Sequence, residues 1–243
     1  MNLSLLIIPI IIFCSIYFLC KKFNLLIDNT SFSDHKKIGI SNQSPIILGG
    51  VYLTISILFL LSNDYNILKL ICICILFLGL LSDRNYLSNP SIRLLIQVLI
   101  LLVLIYFEKL TVNYINIEFI DIILKIEFFN VILTLFCFAV LLNGSNFLDG
   151  LNGLLSGYYL IVLCSLIYIG STSSDIQINQ FEMLNFIFLL LFIFFVFNVL
   201  GLVYLGDSGS YILSIIVGFI LIKVHQNNIY ISPYYILAVL WYP

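Results

Sequence analysis

Charge is the scarcest commodity in this sequence. Only 9% of its 243 residues are Asp, Glu, Lys or Arg, twelve acids against ten bases. A soluble domain of that length could bury a core, but it would still need a charged surface. The near balance of signs, with no basic stripe, argues against a nucleic-acid partner. Histidine is limited to His35 and His225. The six cysteines (Cys14, Cys20, Cys72, Cys74, Cys137 and Cys164) all lie inside apolar runs. Cys72 and Cys74 are too close for a CxxC pair, and no His or Cys nearby completes a metal site, so all six read as packing residues. The first apolar run, "LSLLIIPIIIFCSIYFLCKK", lacks a basic segment before it and a small-residue cleavage site after it. It therefore reads as a retained helix and not as a signal peptide.

What the sequence has in excess is apolar surface: 62% of residues are hydrophobic and the mean hydropathy is +1.17. Long apolar runs recur throughout, which predicts an integral membrane protein of many spans. With about 20 residues per crossing, the fold class is an all-α polytopic membrane protein of about nine transmembrane helices. They are expected near 3–20, 46–62, 66–82, 92–107, 129–145, 151–170, 184–204, 209–224 and from 233 onward. The last run stops at "AVLWYP", too short to cross. Residues 1–243 are thus expected to form one membrane domain whose C-terminal part is missing. The abundance of Ile, Asn, Phe, Tyr and Lys is that of an AT-rich coding sequence and points to a bacterial source.

The bias of Lys and Arg sets the expected orientation. Lys21, Lys22, Lys36, Lys37, Arg84 and Arg93 fall on one side, against Lys69, Lys109, Lys125 and Lys223 on the other. The dense first cluster places the loops 21–45, 83–91, 146–150 and 205–208 in the cytoplasm, with the N-terminus outside. Asp28, Asp34, Asp83, Asp149 and Asp207 then become cytoplasmic, while Glu108, Glu118, Glu127 and Glu182 lie outside. The outer segment 110–128 mixes a strand-like "TVNYINIEF" with an apolar "IDIILKIEFF" and is expected along the membrane interface.

Three cytoplasmic junctions carry more polar residues than their turns require. In "GLLSDRNYLSNPSIRLLIQ" (79–97), Asn89 or Ser88 should cap a helix that begins at Pro90. Asp83 and Arg93 are its candidate functional groups. In "NGSNFLDGLNGL" (143–154), Asn143, Asn146 and Asn152 offer donors to phosphate or sugar oxygens. Gly150 and Gly153 flank a helix start whose free N–H groups suit an anion. Asp149 would repel a bare phosphate unless a cation lay between them. In "YLGDSGSYILSIIVG" (204–218), Gly206, Asp207, Ser208, Gly209 and Ser210 again open a helix. Three carboxylates on one side, beside anion-binding helix ends, suit a metal-assisted reaction on a diphosphate.

At these residues the chain resembles the polyprenyl-phosphate N-acetylhexosamine-1-phosphate transferases, which include the phospho-N-acetylmuramoyl-pentapeptide transferases. That family carries an Asp-Asp with a downstream Arg-Leu, an NxxNxxDGxxGL motif and a GDxGS motif. Here they correspond to Ser82-Asp83 with Arg93-Leu94, to residues 143–154 and to residues 206–210. "DHKKI…SPIILGG" (34–50) is a looser match to the family's basic loop. The resemblance implies transfer of N-acetylhexosamine-1-phosphate from a UDP-N-acetylhexosamine to polyprenyl (undecaprenyl) phosphate in the bilayer, with release of UMP. It implies Mg2+, with Mn2+ as a substitute, held by Asp207 and Asp149, and catalytic roles for Asp83, Asp149 and Asp207. Substrate contacts are implied for Asn143, Asn146, Gly150, Asn152, Asn198, Ser208, Gly209, Ser210 and Arg93. Tyr204 is placed to stack on uracil, and Lys36 and Lys37 to draw in phosphates. The setting is the bacterial plasma membrane with the active site on its cytoplasmic face, and a homodimer is a candidate assembly.

Three departures from the family pattern stand out. Ser82 replaces the first Asp of the pair, Asn152 replaces a frequent Asp, and the His-containing loop expected after the helix at Pro233 is absent. The basic loop also lacks the Lys-Gly-Thr-Pro-Thr stretch of the muramoyl-pentapeptide branch, so a plain UDP-N-acetylhexosamine serving a surface glycan is the expected donor. The alternatives are a catalytically impaired remnant that binds a nucleotide sugar and, further off, a transporter.

Overall fold

The computed structural model describes residues 3–27, 46–172, 178–227 and 231–242. Ten α-helices follow one another in this part: α1 (Leu3–Phe23), α2 (Gly49–Leu60), α3 (Asn66–Asp83), α4 (Pro90–Glu108), α5 (Glu118–Leu124), α6 (Glu127–Leu148), α7 (Leu154–Thr172), α8 (Ile178–Val199), α9 (Gly206–Asn227) and α10 (Pro233–Trp241). Each of the nine expected segments contains a helix, but nine crossings are not confirmed. Among the described residues six helices, α3, α4, α6, α7, α8 and α9, are long and apolar enough to cross a membrane. At twelve and nine residues, α2 and α10 are shorter than a bilayer crossing requires.

α9 is the axis of the bundle, packed by α2, α3 and α6. Of its most apolar stretch 94% is buried, against 22% for α4. A helix apolar on every side belongs at a centre, and small residues let its neighbours come close, the usual device between membrane helices. Gly218 is one such place, where an added Cβ would stand 2.6 Å from the Phe138 ring on α6. α4 instead presents Leu95, Leu99, Tyr106 and Phe107 outward, the surface a lipid-facing helix carries. Its start is as the sequence predicts: Pro90 is the first helical residue, and the Asn89 side chain accepts the Ser91 N–H at 3.0 Å.

Two departures from the expected all-α pattern lie next to the site. Helix α2 begins at Gly49, not at 46, and α8 ends at Val199, not at 204. The residues so released form two short parallel strands, β1 (Ile46–Ile47) and β2 (Val203–Tyr204), paired Ile46 with Val203 and Ile47 with Tyr204. α8 is stopped by Gly201 at φ +69°. Its Gly201 N–H reaches the Asn198 carbonyl at 3.0 Å, and Leu202 N–H reaches that of Phe197 at 3.1 Å, a Schellman closure. Each strand runs within one residue into a helix, so the pairing sets the N-termini of α2 and α9 side by side.

The segment 110–128 forms no strand; it runs as coil into α5. Its backbone finds partners in a side chain: buried Asn130 accepts the Val112 N–H at 3.1 Å and donates to the Val112 carbonyl at 3.1 Å. That satisfies buried peptide groups which would otherwise be costly.

Candidate active site

α9 opens at Gly206, whose φ of +69° suits glycine best. A Cβ there would lie 2.4 Å from Ile47 Cγ2 and 2.9 Å from the Asp83 carboxylate. The absent side chain leaves room for that carboxylate, which comes from the last residue of α3. Asp83 Oδ1 accepts the Asp207 N–H at 2.7 Å, and Oδ2 accepts the Ser208 N–H at 3.2 Å. A carboxylate from one helix thus caps the positive end of another, where free N–H groups and the helix dipole both favour it.

The Asp207 side chain is held from a second direction. Its Oδ2 accepts the Ser82 hydroxyl at 2.5 Å and Arg93 Nη1 at 3.2 Å, and the same Nη1 donates to Ser82 Oγ at 2.6 Å. Arg93 comes from the first turn of α4. About a quarter of both ion-pair partners is exposed, 25% for Arg93 and 27% for Asp207. Among the described residues no hydrogen bond reaches Asp207 Oδ1. Two carboxylates against one guanidinium leave a net negative, partly open cluster at one end of the bundle.

The stretch 143–154 divides into two parts. Residues 143–148 are the last turns of α6, and only 149–153 form a loop. Asn143 donates to the Ala139 carbonyl of its own helix at 2.8 Å. Asn146 bridges to α9, accepting from Ser210 Oγ at 3.3 Å and lying 3.5 Å from the Tyr211 hydroxyl. Asp149 closes α6, with Gly150 and Asn152 exposed beyond it. Asp207 and Asp149 were the expected metal ligands, with Asp83 as a further catalytic carboxylate, and these three come from the ends of three different helices. Among the described residues no group of three or more His, Cys, Asp or Glu could hold a metal ion. Asp83 and Asp207 adjoin, whereas Asp149 sits at the end of a different helix.

Several residues expected at the substrate also pack or brace the fold. Buried Ser208 is wedged between α2 and α3: Cβ atoms on Gly50 and Gly79 would stand 2.6 Å from its Oγ and 2.2 Å from its Cα. A Cβ on Gly209 would come within 3.1 Å of the Gly50 nitrogen. Ser210 is fully buried and bonded to Asn146 and to the Asp207 carbonyl. Asn198, 3% exposed, accepts the Gly153 N–H at 2.9 Å and the Ser156 hydroxyl at 3.1 Å, and donates to the Val203 carbonyl at 2.8 Å. It ties the loop before α7 to β2. Tyr204 lies in β2, half-buried. Lys36 and Lys37 lie outside the described residues.

The sequence reading left four site neighbours unassigned: Gly50, Gly79, Gln97 and Tyr211. Gln97 follows Arg93 by four positions and Tyr211 follows Asp207 by four, so helical spacing alone places each on the face of its charged neighbour. Gln97 is 1% exposed with neither amide atom bonded among the described residues. Gly79 is one turn before Asp83, and a lone glycine in an apolar helix is the available signal for close approach.

A family model described as glycosyl transferase family 4 matches residues 65–225. The match runs from the start of α3 into the last turn of α9 and includes Asp83, Arg93, Asp149 and Asp207. No curated protein matches the chain.

Proposed function

The chain belongs to glycosyl transferase family 4, a transferase family, and from that premise we propose that it moves N-acetylhexosamine-1-phosphate from a UDP-sugar to polyprenyl phosphate. An oxygen of the lipid phosphate attacks the β-phosphorus, the bond to the bridging oxygen breaks, and UMP leaves with that oxygen. The product is a polyprenyl diphosphate sugar, the start of a lipid-linked surface glycan. The observation that carries this reading is the Asp83–Asp207–Arg93 cluster at one end of a bundle of membrane-length helices. A lipid-borne phosphate and a water-borne nucleotide can meet at such an end.

The residues fit a Mg2+ ion that takes only part of its shell from protein. Asp207 offers a hard oxygen, Oδ1, beside a second carboxylate, and Mg2+ commonly binds through one or two carboxylates plus substrate phosphates and water. When bound, the ion would offset the negative charge of the diphosphate. Arg93 gives Nη1 to Ser82 and Asp207, and among the described residues its Nε and Nη2 donors are left for a phosphate oxygen. Asp83 fixes the start of α9 and with it the aim of Asp207. The loop of half-buried Asp149 and exposed Gly150 and Asn152 borders the nucleotide, and the Lys/Arg bias favours the cytoplasmic face of a bacterial plasma membrane as the place of the reaction.

The test is UMP release by the full chain in detergent or vesicles. Release should require the UDP-sugar, polyprenyl phosphate and Mg2+ together, and should stop on chelation. Turnover that survives chelation would remove the metal from the reading, and no release with either UDP-N-acetylhexosamine would remove the reaction.

A further inference from the structure

Position 82 is one of the places where this chain departs from the family pattern, and the structure gives that serine a full set of partners. A hydroxyl has one proton to give and two lone pairs. The Ser82 proton goes to Asp207 Oδ2 at 2.5 Å, and one lone pair takes Arg93 Nη1 at 2.6 Å. Both are charge-assisted contacts, and the hydroxyl–carboxylate one lies at the short end of the range for bonds of its kind. The residue is 6% exposed, so turning Asp207 away would strand a buried hydroxyl as well as part of the Arg93 guanidinium. Asp83 meanwhile grips the Asp207 N–H at 2.7 Å. Two consecutive residues of α3 therefore hold one residue of α9, by its side chain and by its backbone.

We infer that Ser82 is a positioning residue for Asp207: its hydroxyl links Arg93 to Oδ2 and so leaves Oδ1 turned toward the metal and the diphosphate. This rests on the transferase reading. An ionised carboxylate at this position would have no proton to give. It would face Asp207 Oδ2 as a like charge and would draw Arg93 away from it. The site of this chain is thus built on a serine, with one negative charge fewer, and does not merely lack an acid.

The test uses S82A, S82T and S82D in the full chain, with two readouts. The first is steady-state UMP release, separating kcat from KM. The second is Mn2+ binding, followed by electron paramagnetic resonance without substrates. Partners that orient a metal ligand are worth about 10–100-fold in affinity or activity. S82A is therefore expected to lose about 10-fold or more in kcat, with the KM for UDP-sugar little changed, and to bind Mn2+ more weakly. S82T, which keeps the hydroxyl, should behave as wild type in both, and S82D should turn over more slowly than S82A. S82A equal to wild type in both readouts, or S82D faster than wild type, would overturn the inference. Should the added methyl of S82T unfold the chain, the S82A and S82D values decide alone. If the wild type releases no UMP, the transferase reading fails by itself and Mn2+ decides for Ser82. Weaker binding by S82A alone then supports the positioning role, while equal binding by wild type and S82A, or none by wild type, rejects it.

Discussion

Two stretches that read almost alike in sequence, "LDGLNG" before α7 and "LGDSGS" at the start of α9, do opposite work in the fold. Each sets an aspartate among glycines and small polar residues at a helix junction. In the second, Gly206, Ser208, Gly209 and Ser210 are buried, and neighbouring helices press against them until a Cβ on Gly79 would lie 2.2 Å from Ser208 Cα. In the first, Gly150 and Asn152 are exposed, and a Cβ on Gly150 would meet only the Phe147 carbonyl, at 3.6 Å. Glycine serves close helix packing in the second, whereas in the first Gly150 lies in an open turn and only Gly153, at φ +81°, is closely approached, its added Cβ standing 2.7 Å from Val199 Cγ2. The difference lies in which helices converge there, not in the letters themselves.

The sharpest test of this contrast compares its two aspartates. D207N should lower turnover by about 10²-fold or more, the scale of losing a principal electrostatic contact at a reacting phosphate. D149N, on the open loop, should lose distinctly less. Equal losses in UMP release would erase the distinction. Next in size is G79A, which overpacks the Ser208 wedge and should cost about 1–3 kcal/mol or more, read as a drop in apparent Tm. An unchanged Tm would mean that α3 and α9 can part without penalty.

Asn198 joins the two regions, since it holds both the Gly153 N–H and the Val203 carbonyl. N198A should cost about 1–3 kcal/mol for the groups left unpaired and should raise the KM for the UDP-sugar as the loop loosens. A KM rise without loss of stability would make Asn198 a substrate contact after all. The smallest effect is expected of G150A. Its stability should stay within about 0.5 kcal/mol of wild type, and any change should appear only in nucleotide affinity. A Tm drop as large as that of G79A would break the comparison.

Much of the architecture was legible because it rests on local rules. Apolar run length located every helix except the short α5, and Asn89-Pro90 announced the start of α4. Asp83, Arg93 and Asp207 stood out as charges at the ends of apolar runs. The two short strands were not legible, since Ile46–Ile47 and Val203–Tyr204 are as apolar as the helices beside them. Their pairing joins positions far apart in the chain. The packing of Ser208 and Gly209 and the bracing by Asn198 were not legible either, because small and amide residues serve packing and binding equally well in a linear reading.

The sequence by itself determined that this chain is a membrane-embedded helical bundle of glycosyl transferase family 4. Hydropathy and helical periodicity act over one or two turns and need no distant partner. Only the tertiary structure decided that Asp83 caps α9 and that Ser82 joins Arg93 to Asp207. Those contacts cross between helices, so they depend on the angle and depth at which α3, α4 and α9 pack. That geometry is set by the volumes of facing residues, and a single strand of sequence does not show which residues face each other.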